Sequence, residues 1–263
     1  MELRIYQIDA FAQQAFEGNP AAVVPLKEWL ADDLLLKIAQ ENNLSETAYF
    51  IDKGDHFHLR WFTPAKEVRL CGHATLASAH VLFDHLAYAK DQIHFKVLAG
   101  DLYVKKQDTI YTIDFPADHV KSTSYSKNQI EGILDTSILD LQQGTDDLLV
   151  QVESEAVLAQ LKPDFRAIAN LNARGLVVTA KGTQTDIASR GFYPAYGIDE
   201  DPVTGSAHTL LTSYWAPILG KNSFSAVQGS ARKGFLNCQY DEKNQRVLLG
   251  GSAVTYLKGN IFV

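Results

Sequence analysis

Arg60-Trp61-Phe62-Thr63-Pro64-Ala65 and Arg190-Gly191-Phe192-Tyr193-Pro194-Ala195 spell the pattern R-x-F-x-P-A twice, half a chain apart. A second pair of blocks follows in the same order: Gly72-His73-Ala74 after the first copy and Gly205-Ser206-Ala207 after the second, at a slightly longer spacing. Each glycine opens a segment of helical character, His73 to Phe83 and Ser206 to Leu219, the second strained near its end by Pro217. Repetition of ordered blocks at a fixed offset is the mark of an internal duplication.

Short runs of β-branched and aromatic residues bounded by Gly, Asp or Asn surround each copy. In the first half they are Leu3 to Phe11, Ala21 to Val24, Thr47 to Ile51, Phe57 to Phe62, Ile93 to Val97, Leu102 to Lys105 and Ile110 to Phe115. The second half continues with Leu148 to Val152, Gly175 to Ala180, Asp186 to Phe192, Ser223 to Val227 and Val247 to Val254. An amphipathic helix is predicted from Leu26 to Gln40, with Trp29, Leu30, Leu34, Leu35 and Ile38 on one stripe. Many short strands and one apolar helix per half predict an α+β chain of two pseudo-symmetric domains. Each is a β-barrel-like curled sheet around the helix that follows its glycine. The polar stretch Asp118 to Asn128 places the boundary, giving halves 1–120 and 121–251, with the final strand 252–263 free to return to either.

The chain has 263 residues, 46% hydrophobic and 21% charged, which is the balance of an ordinary globular protein. Its formal charge of −7 repels polyphosphate, and no basic patch exceeds the pair Lys105-Lys106, so neither nucleic acid nor an anionic membrane is an expected partner. No segment has the apolar length to span a bilayer, and the start MELRIYQIDAF lacks the features of a signal peptide, so a cytoplasmic location is expected. Cys71 and Cys238 form no CxxC pair and read as small reduced thiols. The spacing of metal-binding HExxH, of GxGxxG and of GxxxxGK[ST] is absent, so no metal, NAD, FAD or ATP is called for.

Two segments carry the candidate chemistry: Arg69-Leu70-Cys71-Gly72-His73-Ala74-Thr75 and Asp201-Pro202-Val203-Thr204-Gly205-Ser206-Ala207-His208. Each sets a glycine and a small or polar residue at a helix start, where free backbone N–H groups and the positive end of the helix dipole hold a carboxylate without a lysine. Capped helices with no ligand are the alternative reading of the same pattern. Glu46 lies where the polar Asn43-Leu44-Ser45 gives way to an apolar strand, and partial desolvation there suits a carboxyl to general acid and base work. From position alone, a solvated strand-start glutamate or a helix cap is the commoner reading. His73 could contact a substrate or relay a proton, or could be a satisfied helix-start residue.

The chain resembles the PhzF-like family of phenazine-biosynthesis isomerases, relatives of diaminopimelate epimerase, over nearly its whole length. The resemblance is carried by Asp9-Ala10-Phe11 with Gly18-Asn19-Pro20, by Ser45-Glu46-Thr47-Ala48, by Phe62-Thr63-Pro64 leading to Cys71-Gly72-His73-Ala74-Thr75, by Asp201 to His208, and by Gln228-Gly229. It implies two β-barrel domains, each around a central helix, with the active site between them, a homodimer and no cofactor. It also implies Glu46 as the acid/base carboxylate, His73 and Asp201 as its catalytic partners, and Gly72, His73, Gly205 and Ser206 as the binders of a substrate carboxylate. The implied reaction moves a proton between carbons of a small unsaturated acid. The epimerase relatives use two thiols, one beside each glycine. Here Cys71 precedes Gly72 but Thr204 precedes Gly205, and a hydroxyl cannot replace the second thiol as acid or base. A non-catalytic small-carboxylate-binding protein, and a hydrolase or transferase with Cys71 as nucleophile, are the competing expectations.

Overall fold

A computed structural model describes Met1 to Val263. The chain forms two units, Met1–Asp114 with Gly250–Val263, and Phe115–Leu249.

In the first unit the sheet runs from Ala253–Phe262 through Glu2–Ala10, Asn19–Leu26, Glu46–Asp52, Phe57–Phe62 and Gln92–Val97 to Gly100–Gln107. From Glu2–Ala10 onward the pairings read antiparallel, parallel, antiparallel, parallel, antiparallel. Parallel neighbours need a crossover, and each crossover carries a helix. Helix α1 (Asp32–Asn42) links the first parallel pair, and α2 (Gly72–His80) the second. Strand alternation divides the apolar residues between the two helices. Ala22, Val24, Tyr49 and Ile51 pack with Leu35, Ile38 and Ala39 of α1. On α2 every residue from His73 to His80 is buried, against Glu2–Ala10, Asn19–Leu26 and Glu46–Asp52. A helix buried on all sides must lie inside a curled sheet, whereas α1 is polar on its outer face. A π-helical turn, Val81–His85, closes α2.

The second unit repeats the order of pairings. Asp140–Gln143, Asp147–Gln151, Gly175–Lys181, Ile187–Tyr193, Ser223–Gln228 and Gly234–Asp241 pair antiparallel, parallel, antiparallel, parallel, antiparallel. After α3 (Lys127–Leu134), capped by a Ser126–Gln129 capping box, the first crossover carries α4 (Glu155–Gln160) and α5 (Phe165–Ala169). The second carries α6 (Gly205–Leu219), buried along most of its length. Trp215 of α6 is fully buried and donates Nε1–H to Thr179 Oγ1 at 3.0 Å, which fixes the helix to the sheet.

The two R-x-F segments occupy equivalent strands. Arg60 makes a bidentate pair with Glu67 and lies 5.1 Å from the Phe62 ring; Arg190 does the same with Glu200 and lies 5.0 Å from Phe192. The remaining guanidinium nitrogen differs, reaching Asp32 at the start of α1 in one unit and the carbonyls of Leu158 and Leu161 at the end of α4 in the other.

Two expectations need correction, and three short helices are added. The helix placed at Leu26 to Gln40 spans Asp32–Asn42, because Pro25 and Leu26 extend a strand paired with Phe50 and Ile51; Trp29 and Leu30 pack on the same core from the connecting loop. The strand placed at Val247 to Val254 is two, Arg246–Gly251 and Ala253–Phe262, parted at Ser252. The helices α3, α4 and α5, of eight residues or fewer, were not expected.

Candidate active site

In the first unit, Glu46 is the first residue of its strand, just beyond Asn43, which ends α1 in the left-handed conformation. Asn42 donates to Thr47 Oγ1 at 3.0 Å and ties the helix end to that strand. The parallel register sets Glu46 opposite Ala21 of the Gly18-Asn19-Pro20-Ala21 motif. The motif itself turns back on Asp9, whose buried carboxylate accepts from the Phe16 amide at 2.9 Å. Gly18, at φ +64°, lies where a Cβ would come within 2.0 Å of the Ala10 carbonyl oxygen, so no other residue fits.

His73 is the second residue of α2 and is buried. Its Nε2 stands 3.1 Å from Glu46 Oε2, with both side chains largely out of water (7% and 14% exposed). Despite the distance, neither atom makes an aligned hydrogen bond. Two buried polar atoms of this kind are costly unless a further group completes them. The other ring nitrogen, Nδ1, meets Cys71 Sγ at 3.6 Å. Burial, together with the Glu46 carboxylate, pushes the Cys71 thiol up to about 11. Burial alone would lower His73, but the Cys71 sulfur and the Glu46 carboxylate outweigh it and hold the imidazole well above its ordinary range. Glu46, Cys71 and His73 offer donor atoms within 4.8 Å of one another. Because His73 turns a different nitrogen to each neighbour, no single ion could take both ring contacts, and the arrangement suits a proton relay better than ligation.

Gly72 starts α2 from an extended Cys71 that provides no side-chain cap. The first N–H groups of a helix have no intrahelical acceptor, and here no N-cap side chain takes their place.

In the second unit, Asp201 ends the strand Ile198–Asp201 and is 8% exposed. Thr204 donates its hydroxyl to Asp201 Oδ2, and so, like Cys71, provides no cap for the helix that follows. Gly205 and Ser206 are the first two residues of α6. The whole turn is held by Gln228, which accepts from the Thr204 amide at 3.0 Å and donates to Asp201 O at 2.9 Å and to Thr204 Oγ1 at 3.0 Å. The sequence assigns neither Gln228 nor Thr204 a role, although Gln228-Gly229 is among the motifs that carry the family resemblance. The signal was the glycine: Gly229 has φ +99°, and a Cβ there would lie 2.2 Å from Arg232 O.

The structure thus joins Glu46, His73 and Gly72 with Cys71 in one unit, and Asp201, Gly205 and Ser206 with Thr204 and Gln228 in the other. No helix is long and apolar enough to cross a membrane.

The family profile described as phenazine biosynthesis-like protein, PhzC-PhzF, matches residues 8–259. A Pseudomonas aeruginosa protein described as an isomerase is 47% identical, the match covering 99% of both chains, and a Halalkalibacterium halodurans protein of the same description is 42% identical over 100% of both. The solved structure of a PhzF-family protein from Enterococcus faecalis superimposes with a TM-score of 0.94 at 42% identity, covering 100% of each chain. A probable proline racemase from Agrobacterium radiobacter, at 10% identity and a TM-score of 0.61 over 99% of this chain and 92% of its own, shares the fold alone. These matches span the chain and include every motif from Asp9 to Gly229, and they show that the chain belongs to the PhzC-PhzF family of phenazine biosynthesis-like proteins and is an isomerase.

Proposed function

We propose that the protein moves a proton between carbons of a small carboxylate-bearing substrate without a cofactor, with Glu46 as the residue that takes the proton and returns it. The observation that carries this reading is the buried approach of Glu46 Oε2 to His73 Nε2 at 3.1 Å with no aligned bond between them. Such a pair is poised for a third group. In this reading the Glu46 carboxylate removes a proton from one carbon of an unsaturated acid, and the electron pair shifts through the conjugated system. The resulting carboxylic acid then protonates a different carbon. Nothing is gained or lost overall, so one residue serves as base and then acid, provided water is kept out. His73 supports the charge that develops, and Asp201 is a polar partner to the substrate. The N–H groups of Gly72, His73, Gly205 and Ser206 bind its carboxylate.

The Cys71 nucleophile reading is weakened by the thiol's upward shift, since the thiolate is the reactive form. A two-thiol racemase reading meets Thr204, engaged on Asp201, at the position where the second thiol is needed.

The test is incubation of wild type and Glu46→Gln with a small-metabolite extract in heavy water, followed by mass spectrometry. A compound that gains deuterium or changes retention with wild type only is the expected result, with turnover falling by about 100-fold or more in the variant. Equal turnover by Glu46→Gln would overturn the assignment. Saturable binding of a small carboxylate with no exchange would favour the non-catalytic alternative.

A further inference from the structure

The residue before each helix-opening glycine behaves alike in the two units. Cys71 and Thr204 both stand at an N-cap position with extended backbone, and neither side chain caps its helix. Each turns instead to a titratable neighbour: the Cys71 sulfur to His73 Nδ1 at 3.6 Å, and the Thr204 hydroxyl to Asp201 Oδ2. Serine and threonine side chains at this position ordinarily accept from the helix N–H groups. Two departures at equivalent places have a common result, which is that each fixes a polar side chain of the candidate site.

We propose that Cys71 is a positioning residue whose sulfur holds Nδ1 of His73 and so keeps a proton on Nε2, the nitrogen that faces Glu46. The sulfur does this in both charge states of the ring. When the imidazole is neutral, the thiol S–H donates to Nδ1, and the single ring proton must sit on Nε2. When the imidazole is charged, Nδ1–H donates to the sulfur, and Nε2 still carries a proton. A thiol suits both duties because it is both a weak donor and a weak acceptor. Cys71 is 8% exposed and has no disulfide partner, so it is removed from solvent chemistry and available for this contact. Thus Glu46 meets an N–H at every stage of a proton-transfer cycle. The inference rests on the Glu46–His73 reading of the site, but it is tested without turnover.

The experiment is long-range 1H–15N correlation spectroscopy on protein labelled at histidine nitrogen, following His73 through a pH titration in wild type, Cys71→Ala and Glu46→Gln. Wild type is expected to show Nε2–H throughout. Glu46→Gln is expected to retain the Nε2–H form of the neutral ring, because the Nδ1 contact survives. Cys71→Ala is expected to lose that preference, and the His73 titration midpoint to fall. A wild-type tautomer and midpoint in Cys71→Ala would overturn the proposal. So would loss of the Nε2–H form in Glu46→Gln, which would show that the carboxylate and not the sulfur sets the ring. Should Cys71→Ala fail to fold, Glu46→Gln alone decides between sulfur and carboxylate. Inactivity or activity of Glu46→Gln in the heavy-water assay bears on the proton-transfer reading and leaves this outcome unaffected.

Discussion

His80 and His208 show how histidines outside the reacting group are handled. His80 closes α2, with Nδ1 2.8 Å from the Tyr111 hydroxyl and Nε2 2.8 Å from Thr255 Oγ1. Tyr111 donates to Asp84, so its oxygen accepts from His80 Nδ1–H, and Nε2 accepts from Thr255. Thr255 in turn accepts from His85 Nε2 at 2.7 Å. This chain of donors needs a neutral His80, and burial, with His85 and Lys106 nearby, lowers its pKa to about 4 despite the opposing charge of Asp84. His208, wholly buried, is also lowered to about 4 by desolvation. A folded-state pKa below that of the unfolded chain means that stability is full above about pH 6.5 and is lost as pH falls through about 4. Chemical denaturation at pH 7 and pH 4 is therefore expected to show an acid loss that is smaller in His80→Gln, by about 2–3 kcal/mol. At this scale the sequence was informative about identity but not about contact. His73 stood out beside its glycine, whereas the ring's division between Cys71 and Glu46 depends on a strand and a helix meeting in space.

The helix starts are built differently from ordinary capped ends, and the loop after Ser223–Gln228 has a direct part in this. Gln228 can hold Thr204 and Asp201 only while Gly229 keeps its left-handed turn. Gly229→Ala is expected to destabilise the fold by about 1–3 kcal/mol, measured by thermal or denaturant unfolding, through backbone strain and the clash with Arg232 O. Thr204→Val preserves the side chain's shape and removes its hydroxyl, and Thr204→Ser preserves the hydroxyl. Heavy-water turnover is expected to survive the serine change and to drop at least about tenfold in the valine variant, in line with the loss of one hydrogen bond to a charged group. Equal turnover in the two variants would deny Thr204 a role. The glycine-led helices and most strands were legible because periodicity and turn residues act locally. Helix α1 was misplaced because Trp29 and Leu30 continue an apolar stripe from within a loop, and burial alone does not tell a helix from a packed connection.

On the scale of the whole molecule, the repeated order of pairings, with a buried helix in the second parallel crossover of each unit, explains why the R-x-F blocks could be matched from sequence. Their arginines sit at the same lattice point of two like sheets. The burial of these ion pairs differs, however, and so should their worth. Arg190 is 9% exposed and serves Glu200 and two helix-end carbonyls, whereas Arg60 is 14% exposed and its third partner, Asp32, is 71% exposed. Arg190→Met is expected to cost about 3–5 kcal/mol and Arg60→Met distinctly less, by equilibrium denaturation. The strand Ala253–Phe262, which sequence left unassigned between the halves, pairs with Glu2–Ala10 along nine partnered residues from Glu2 to Ala10. The pairing has a consequence in time. At roughly 5–20 residues per second, the strand Glu2–Ala10 leaves the ribosome tens of seconds before Ala253–Phe262 exists. Until then one edge of the first sheet stands open to any passing strand, and the whole of Phe115–Leu249 is made within that interval. A strand made early is thus completed by one made about 250 residues later, and the interval of exposure is set by the speed of translation.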